Sequence, residues 1–139
     1  MKEGICTTVG IVGSFIVSLL GGWDNGLITL VLFMAIDYIT GLIVAGIFHQ
    51  SKKTETGALE SRAGFKGLCR KGVVLLFVLI ANRLDIVLNV SYIRDAVVIG
   101  FMANELISII ENAGLMGLPL PAVINNAVDI LVNKDKESE

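Results

Sequence analysis

Charged side chains are scarce in this sequence. Asp, Glu, Lys and Arg together make up 17% of its 139 residues, against about 25% in soluble domains. Hydrophobic residues reach 54%, and the mean hydropathy is +0.77. This composition excludes an ordinary soluble globular protein and is typical of an integral membrane protein. A chain of this length holds three or four spans with short loops, which leaves no room for a separate catalytic domain of ordinary size.

Residues that build metal, disulfide and phosphate sites are also few. The two cysteines, Cys6 and Cys69, lie far apart and not in metal-ligand spacing, so we interpret both as small apolar residues. The sequence contains no glycine-rich phosphate loop. Its basic residues are concentrated in one loop rather than on a face that could hold nucleic acid. We therefore expect no cofactor, no metal ion, no catalytic residue and no nucleic-acid partner.

The most informative stretch that is present is a long apolar run at residues 26–48, with Asp37 as its single ionisable side chain. At about 1.5 Å per residue the run reaches roughly 34 Å, enough to cross a hydrocarbon core of about 30 Å. A carboxylate near the bilayer centre costs about 2.5–3.5 kcal/mol on insertion scales. Asp37 is therefore expected to face other protein or a wet cavity, as an assembly or gating residue.

Three further apolar stretches predict spans at about residues 4–20, 72–90 and 95–113. The first has no small-residue cleavage site after it and is interpreted as a mature helix rather than a signal peptide. The span at 72–90, third in chain order, is the least secure, because it contains Arg83 and Asp85. Pro119 and Pro121 then stop the last span and precede an amphipathic tail at 118–132. The prediction is one all-α membrane domain, a bundle of three to four transmembrane helices with a short C-terminal amphipathic helix.

A basic loop at residues 49–71 sets the expected orientation. It carries six of the eleven Lys and Arg residues, whereas the turn between the first two spans has none. By the positive-inside rule this loop is cytoplasmic, with its basic groups at the membrane surface. The N-terminus is then cytoplasmic, and the C-terminus is too if there are four spans. The six residues are Lys52, Lys53, Arg62, Lys66, Arg70 and Lys71.

Small side chains recur every fourth residue along the first span. Such a stripe lets two helix backbones approach closely in lipid, so we expect a packing face there. Span two continues the pattern after Asp37. Whether the partner helix belongs to the same chain or to another copy is left open. The predicted packing residues are Gly10, Ser14, Ser18 and Gly22, in register with Cys6, and then Gly41 and Ala45.

Span four is the most polar of the predicted helices. Its polar residues gather on one side at about 100° per residue. Such a face can hydrogen-bond inside a bundle, lie in the membrane interface, or line water in a ring of several copies. Together with Asp37, the candidates for polar groups inside the membrane or around a lumen are Asn104, Glu105, Ser108, Glu111 and Asn112.

Several short motifs occur in order over nearly the whole chain. They are Asp37-Tyr38-Ile39-Thr40-Gly41, then Ser61, Gly64-Phe65-Lys66-Gly67 and Arg70-Lys71-Gly72, then Asn104-Glu105, Glu111-Asn112-Ala113-Gly114 and Leu118-Pro119-Leu120-Pro121. In this order and spacing they resemble the toxin-secretion and phage-lysis holins of Gram-positive systems. The resemblance implies oligomers in the cytoplasmic membrane of a bacterial host, and lesions that release an endolysin or a large toxin and cause lysis.

Two other classes of membrane protein share some of these features. A small ion channel or transporter could use the carboxylates as ion sites. A small membrane lipid kinase would also place carboxylates on a compact bundle, but it needs several acidic groups to hold Mg²⁺ and nucleotide phosphates. The acidic set here is thin for that chemistry, so we expect a protein that is not an enzyme.

Overall fold

Five α-helices make up the computed structural model, which describes residues 1–138. No β-strand occurs within that range, so the all-helical prediction is confirmed. Only the first two of the described helices are long and apolar enough to cross a membrane by length and composition. The number of three to four crossings therefore stays a prediction. The helices are α1 (Lys2–Leu19), α2 (Asn25–Gly46), α3 (Ser61–Leu88), α4 (Ile93–Leu115) and α5 (Ala122–Ser138).

Helices α2, α3 and α4 form the core of the molecule. The most extensive interface joins α2 to α4, which run parallel, with α3 antiparallel to both. Leu27 and Leu30 of α2 are fully buried against Val78 of α3 and Val98 of α4. In lipid such apolar contacts stabilise by close van der Waals packing, because the surrounding acyl chains are equally apolar.

Helix α3 begins at Ser61, inside the stretch predicted as the basic loop. The second half of residues 49–71 is thus helical, and only the segment between Gly46 and Ser61 is a connection. The sequence explains this, because no proline interrupts the chain from Ser61 to Leu88. The helix ends where Asn89 adopts a left-handed conformation with φ of 54°, a common way to stop a helix.

The turn between α1 and α2 is tight and depends on glycine. Gly21 has φ of 93°, a conformation that favours glycine. A Cβ atom at this position would also collide with the side chain of Arg94. On the N-terminal side of the turn, α1 has no buried residue. Leu20 is the nearest side chain that enters the core, so α1 is attached to the bundle mainly at its C-terminal end.

Helix α5 folds back along α4. Asp135 lies beside Gly100, near the start of α4, so the two helices are antiparallel. Pro121 immediately precedes α5, consistent with the preference of proline for helix starts. The helix continues past residue 132, where the predicted tail ended.

Candidate functional site

A partly buried lysine joins the three core helices. Lys71 Nζ of α3 lies 2.7 Å from Asp37 Oδ2 of α2 and 2.8 Å from Glu105 Oε2 of α4. Both carboxylates are buried, with 5% of Asp37 and 6% of Glu105 exposed. One ammonium group therefore bridges two acids from different helices, as a charge-assisted pair of hydrogen bonds.

Neutral side chains complete the coordination of Asp37. Ser108 donates to Asp37 Oδ1 at 2.6 Å, and Asn112 donates to the same oxygen at 3.1 Å. The Asn112 amide also donates to Thr40 Oγ1 at 2.8 Å. Thr40 in turn donates to the backbone carbonyl of Ile36. Each oxygen of Asp37 thus has at least one donor, which is the condition for keeping a carboxylate inside a bundle.

We call Asp37, Thr40, Lys71, Glu105, Ser108 and Asn112 the polar cluster. It contains two carboxylates and one ammonium, so its formal charge is −1 when all three are ionised. Nothing in it resembles a metal centre, since no group of three or more His, Cys, Asp or Glu residues comes together in the part of the chain that the structure describes. The arrangement can hold helices together and present charge within the bundle.

A cavity of about 420 Å³ lies next to the polar cluster. It is bounded by α2, the first turns of α3, the connection between α2 and α3, and α4. Two of the predicted polar residues, Asn104 and Glu111, line this cavity and are exposed. The predicted polar face of α4 is therefore divided. Glu105, Ser108 and Asn112 enter the cluster, whereas Asn104 and Glu111 face the cavity.

A second polar network fixes the opposite end of the bundle. Arg94, at the start of α4, is 6% exposed. It donates to the carbonyl oxygens of Leu20 at 2.5 Å and Gly22 at 3.1 Å, and its Nη1 lies 2.7 Å from Asp24 Oδ2. The Arg94 guanidinium holds the pKa of the Asp24 carboxyl below its usual value. This network ties the α1–α2 turn to α4.

Two carboxylates also cap helices at this end. Asp24 Oδ1 accepts from the backbone N–H of Leu27, in the first turn of α2. Asp85 accepts from the backbone N–H groups of Ile93 and Arg94 at 2.9 and 3.0 Å. Asp85 belongs to α3, so the cap joins α3 to the first turn of α4. Unpaired N–H groups at helix starts are thereby satisfied.

The predicted packing residues lie in two different environments. Gly41 and Ala45 of α2 line the cavity, and a Cβ atom on Gly41 would lie 3.9 Å from the amide nitrogen of Asn112. The stripe on α1 is not closely packed by another helix of the same chain. Its residues line an open groove beside the C-terminal half of α3, and a Cβ atom on Gly10 or Gly22 would meet nothing within 4 Å. The groove contains Gly10, Ser14, Ser18 and Gly22.

The predicted basic surface loop requires one correction. Five of its six basic residues are exposed, but the side chain of Lys71 is only 14% exposed and lies in the polar cluster. It lies on α3 because that helix starts at Ser61, and the helix turns its side chain towards α2 and α4. The exposed residues are Lys52, Lys53, Arg62, Lys66 and Arg70.

Sequence reasoning missed the roles of Lys71, Arg94 and Asp24. A signal for Lys71 was present, because Lys71, Val74, Val78 and Ala81 recur at helical spacing and the last two are buried. Extending this period back past residue 72 places the lysine on the buried face. Arg94 stands one turn before the buried Val98 in the same way.

The sequence matches a family of known proteins. A family model described as the bacteriophage holin family matches residues 14–133, which is most of the chain. The chain belongs to the bacteriophage holin family. Membership in this family and the two long apolar helices identify a membrane protein.

Similar proteins come from a phage and from bacteria. A protein of Bacillus phage phi105 named "probable holin" is 33% identical over 106 residues, covering 75% of this chain and 73% of its own. An uncharacterized protein of Listeria monocytogenes is 40% identical over 111 residues, with 79% and 74% covered. One of Clostridium perfringens is 33% identical over 135 residues, with 94% of each chain covered. No solved structure matches the chain.

Proposed function

We propose that this protein is a holin that forms homo-oligomers in the cytoplasmic membrane of a bacterial host and opens lesions there. The lesions release an endolysin or a large toxin and lead to lysis of the cell. The observation that carries the proposal is the polar cluster, a set of charged and hydrogen-bonding groups closed within an otherwise apolar bundle, in a chain of the holin family.

A lesion-forming protein needs polar groups that are satisfied before opening and able to line water afterwards. The polar cluster meets the first requirement, because Lys71, Ser108 and Asn112 all donate to Asp37. Separating α2 from α4 would expose the same groups to the lumen, where water replaces the lost partners. In this scheme Asp37 acts in assembly and gating.

Oligomer formation requires a surface that the closed subunit leaves open. The α1 stripe is such a surface, since it lines an open groove and a Cβ atom on Gly10 or Gly22 would meet nothing within 4 Å. Small side chains at this spacing suit close approach of a helix from a second copy. We infer that the α1 stripe mediates self-association, and that Glu105 and Ser108 contribute to the lesion wall.

We propose four membrane crossings, formed by α1 to α4. Helices α3 and α4 carry buried charges, but Lys71 is paired with Glu105 and Arg94 with Asp24. Pairing of this kind is how ionisable residues are accommodated within transmembrane bundles. The basic connection after α2 then lies in the cytoplasm together with both termini, and α5 lies against α4.

Induced expression in a bacterium, with and without a cytoplasmic muralytic enzyme, tests the proposal. The expected result is abrupt lysis that depends on the enzyme. Growth that continues normally when both proteins are present would contradict it. The same cells without the muralytic enzyme should stop growing but keep their walls, which controls for lysis by overexpression alone.

An ion channel or transporter is the second candidate, favoured by the buried carboxylates Asp37 and Glu105 beside a cavity. It would pass ions and leave folded proteins inside the cell. We do not propose an enzyme such as a lipid kinase, because Lys71 already occupies both carboxylates. ATP turnover dependent on a lipid substrate would contradict that statement.

A further inference from the structure

The cavity beside the polar cluster has the size and the walls of a ligand site. Its volume of about 420 Å³ lies within the range of about 300–1,000 Å³ found for small-molecule pockets. One wall is apolar and includes Leu42, Ala45 and Leu59. Leu59 is also 57% exposed, so this wall continues onto the outer surface of the bundle.

Charges of both signs line the same cavity. Lys53 and Arg70 supply two cations, and Glu60 and Glu111 supply two carboxylates. None of these four side chains forms an ion pair or a side-chain hydrogen bond within the described residues 1–138. They contrast with Lys71, which also lines the cavity but is paired with Asp37 and Glu105. The free charges are balanced, two against two, which suits a dipolar ligand better than a simple anion.

A buried hydroxyl points to the same conclusion. Thr54 lines the cavity, and its Oγ1 is buried without a hydrogen-bond partner among the described residues. Buried polar groups are nearly always satisfied, so an unpaired one calls for a partner. The connection that carries Thr54 is closed on itself by a hydrogen bond of 2.9 Å from Ser51 N–H to Gly57 C=O. This bond closes the segment around Thr54.

We propose that the cavity binds the headgroup of a phospholipid that carries both a phosphate and a primary amine, as in phosphatidylethanolamine. Arg70, Lys53 and the Thr54 hydroxyl would bind the phosphate, because Arg and Lys are strong phosphate donors. Glu60 and Glu111 would accept from the ammonium group. The glycerol and the first acyl carbons would lie along the apolar wall.

The chemistry of the headgroup distinguishes this lipid from its neighbours in a membrane. Phosphatidylcholine has a phosphate, but its quaternary nitrogen has no N–H to donate. Phosphatidylglycerol has a phosphate and neutral hydroxyl groups but no amine, so it offers Glu60 and Glu111 no cation. The proposal requires only that the cavity lies at a membrane surface. It does not depend on lesion formation, so a failure of either proposal leaves the other intact.

Native mass spectrometry of the full chain in detergent micelles tests the site. The three lipids, with identical acyl chains, are added separately at equal concentration. We expect phosphatidylethanolamine to bind about tenfold or more tightly than phosphatidylcholine, which corresponds to the loss of one charge-assisted hydrogen bond. Equal binding of all three lipids would overturn the proposal.

Two variants separate the phosphate contact from the amine contact. Arg70→Gln should weaken phosphatidylethanolamine and phosphatidylglycerol alike, by about tenfold. Glu111→Gln should weaken phosphatidylethanolamine only. Matched controls are Arg83→Gln, at the other end of α3, and Glu3→Gln, on α1; neither residue lines the cavity, and neither change should alter binding. All four residues are exposed, so the variants are expected to fold.

The same measurement distinguishes a lipid from a free headgroup. Soluble phosphoethanolamine has the phosphate and the amine but cannot use the apolar wall. It should fail to displace the lipid at equal concentration. Displacement at equal concentration would overturn the assignment to a lipid, as would cavity variants that bind lipid like the controls.

Discussion

Lys71 Nζ lies 2.7 Å from Asp37 Oδ2 and so links α3 to α2 inside the bundle. The same nitrogen reaches Glu105 of α4 at 2.8 Å. A single ammonium group therefore links all three core helices. Because the pair is buried, its loss should have consequences that a surface ion pair would not.

Replacing Lys71 with Met should strongly destabilise the bundle. The change removes the cation and leaves Asp37 and Glu105 as two neighbouring buried carboxylates. Breaking a buried pair by removing one partner typically costs about 3–5 kcal/mol. The free energy of unfolding, measured by denaturant titration in mixed micelles, reports the effect.

A matched control for this variant is Lys66→Met, an exposed position on the same helix, which should change stability by less than about 0.5 kcal/mol. Combining Lys71→Met with Asp37→Asn and Glu105→Gln removes all three charges and should restore much of the loss. A single Lys71→Met variant as stable as the Lys66→Met control would show that the ion pair does not hold the bundle.

Asp37→Asn should advance the onset of lysis without changing membrane insertion. Asparagine keeps a hydrogen-bonding oxygen for Ser108 but loses the charge that pairs with Lys71. The closed bundle is then weaker, so α2 and α4 separate sooner. Lysis time after induction is measured beside membrane-fraction immunoblots, with Asp129→Asn on the exposed side of α5 as control. Unchanged timing would remove Asp37 from the mechanism.

The combined change Ser14→Leu and Ser18→Leu should delay or abolish lysis while the protein still inserts. Bulky side chains on the α1 stripe prevent close approach of a second helix. Phe15→Leu, an exposed change on the same helix but off the stripe, is the matched control and should leave lysis timing close to normal. Normal timing in the double variant would count against the stripe.

Cysteine crosslinking gives a direct view of the same contact. Cys6 is exposed, free and in register with the α1 stripe, and a Cys69→Ser background leaves it as the only thiol. We expect membrane-embedded protein to form Cys6–Cys6 dimers with a short crosslinker. The combined change Ser14→Leu and Ser18→Leu should suppress these dimers. Equal dimer yields with and without the leucines would refute self-association through α1.

The Asp24–Arg94 pair predicts a dependence of stability on acid pH. Since Arg94 lowers the pKa of folded Asp24 below its ordinary value of 3.8, the pair stabilises the fold above that pH. The contribution is lost as pH falls through the folded pKa. Its size is small, because the Asp24 side chain is 51% exposed.

Asp24→Asn isolates this charge effect, since Asn also caps helices well and keeps the bond to Leu27. We expect the wild type to have a slightly higher Tm than the variant between about pH 5 and 7, with the gap closing below about pH 4. A gap that stayed constant down to pH 3 would mean that the Asp24 charge does not contribute.

The apolar pattern of the sequence predicts much of the helical architecture. The two helices that qualify as membrane spans coincide closely with the stretches predicted at 4–20 and 26–48. Hydropathy suffices there because a long apolar helix has few alternative locations in a membrane protein. Hydropathy placed Lys71 of α3 in an exposed loop, whereas its side chain faces the interior of the bundle. The reason is that hydropathy cannot distinguish a paired charge from a solvated one.

The site was only partly accessible from sequence for a related reason. The sequence predicts four of the clustered residues as polar groups at membrane depth, and the structure brings them together. They are Asp37, Glu105, Ser108 and Asn112. Their shared cation came from a different helix. Such pairing depends on how α3 is oriented against α2 and α4, which local spacing does not encode. The Arg94 network was missed likewise, because its acceptors are backbone carbonyls of a distant turn.

Size-graded release from liposomes tests the central claim most directly. Purified protein is reconstituted into vesicles that contain both a small dye and a folded enzyme, and release of each is followed in time. A holin that opens large lesions should release the dye and the active enzyme together. Release of the dye alone, with the enzyme fully retained, would contradict the account and indicate a channel.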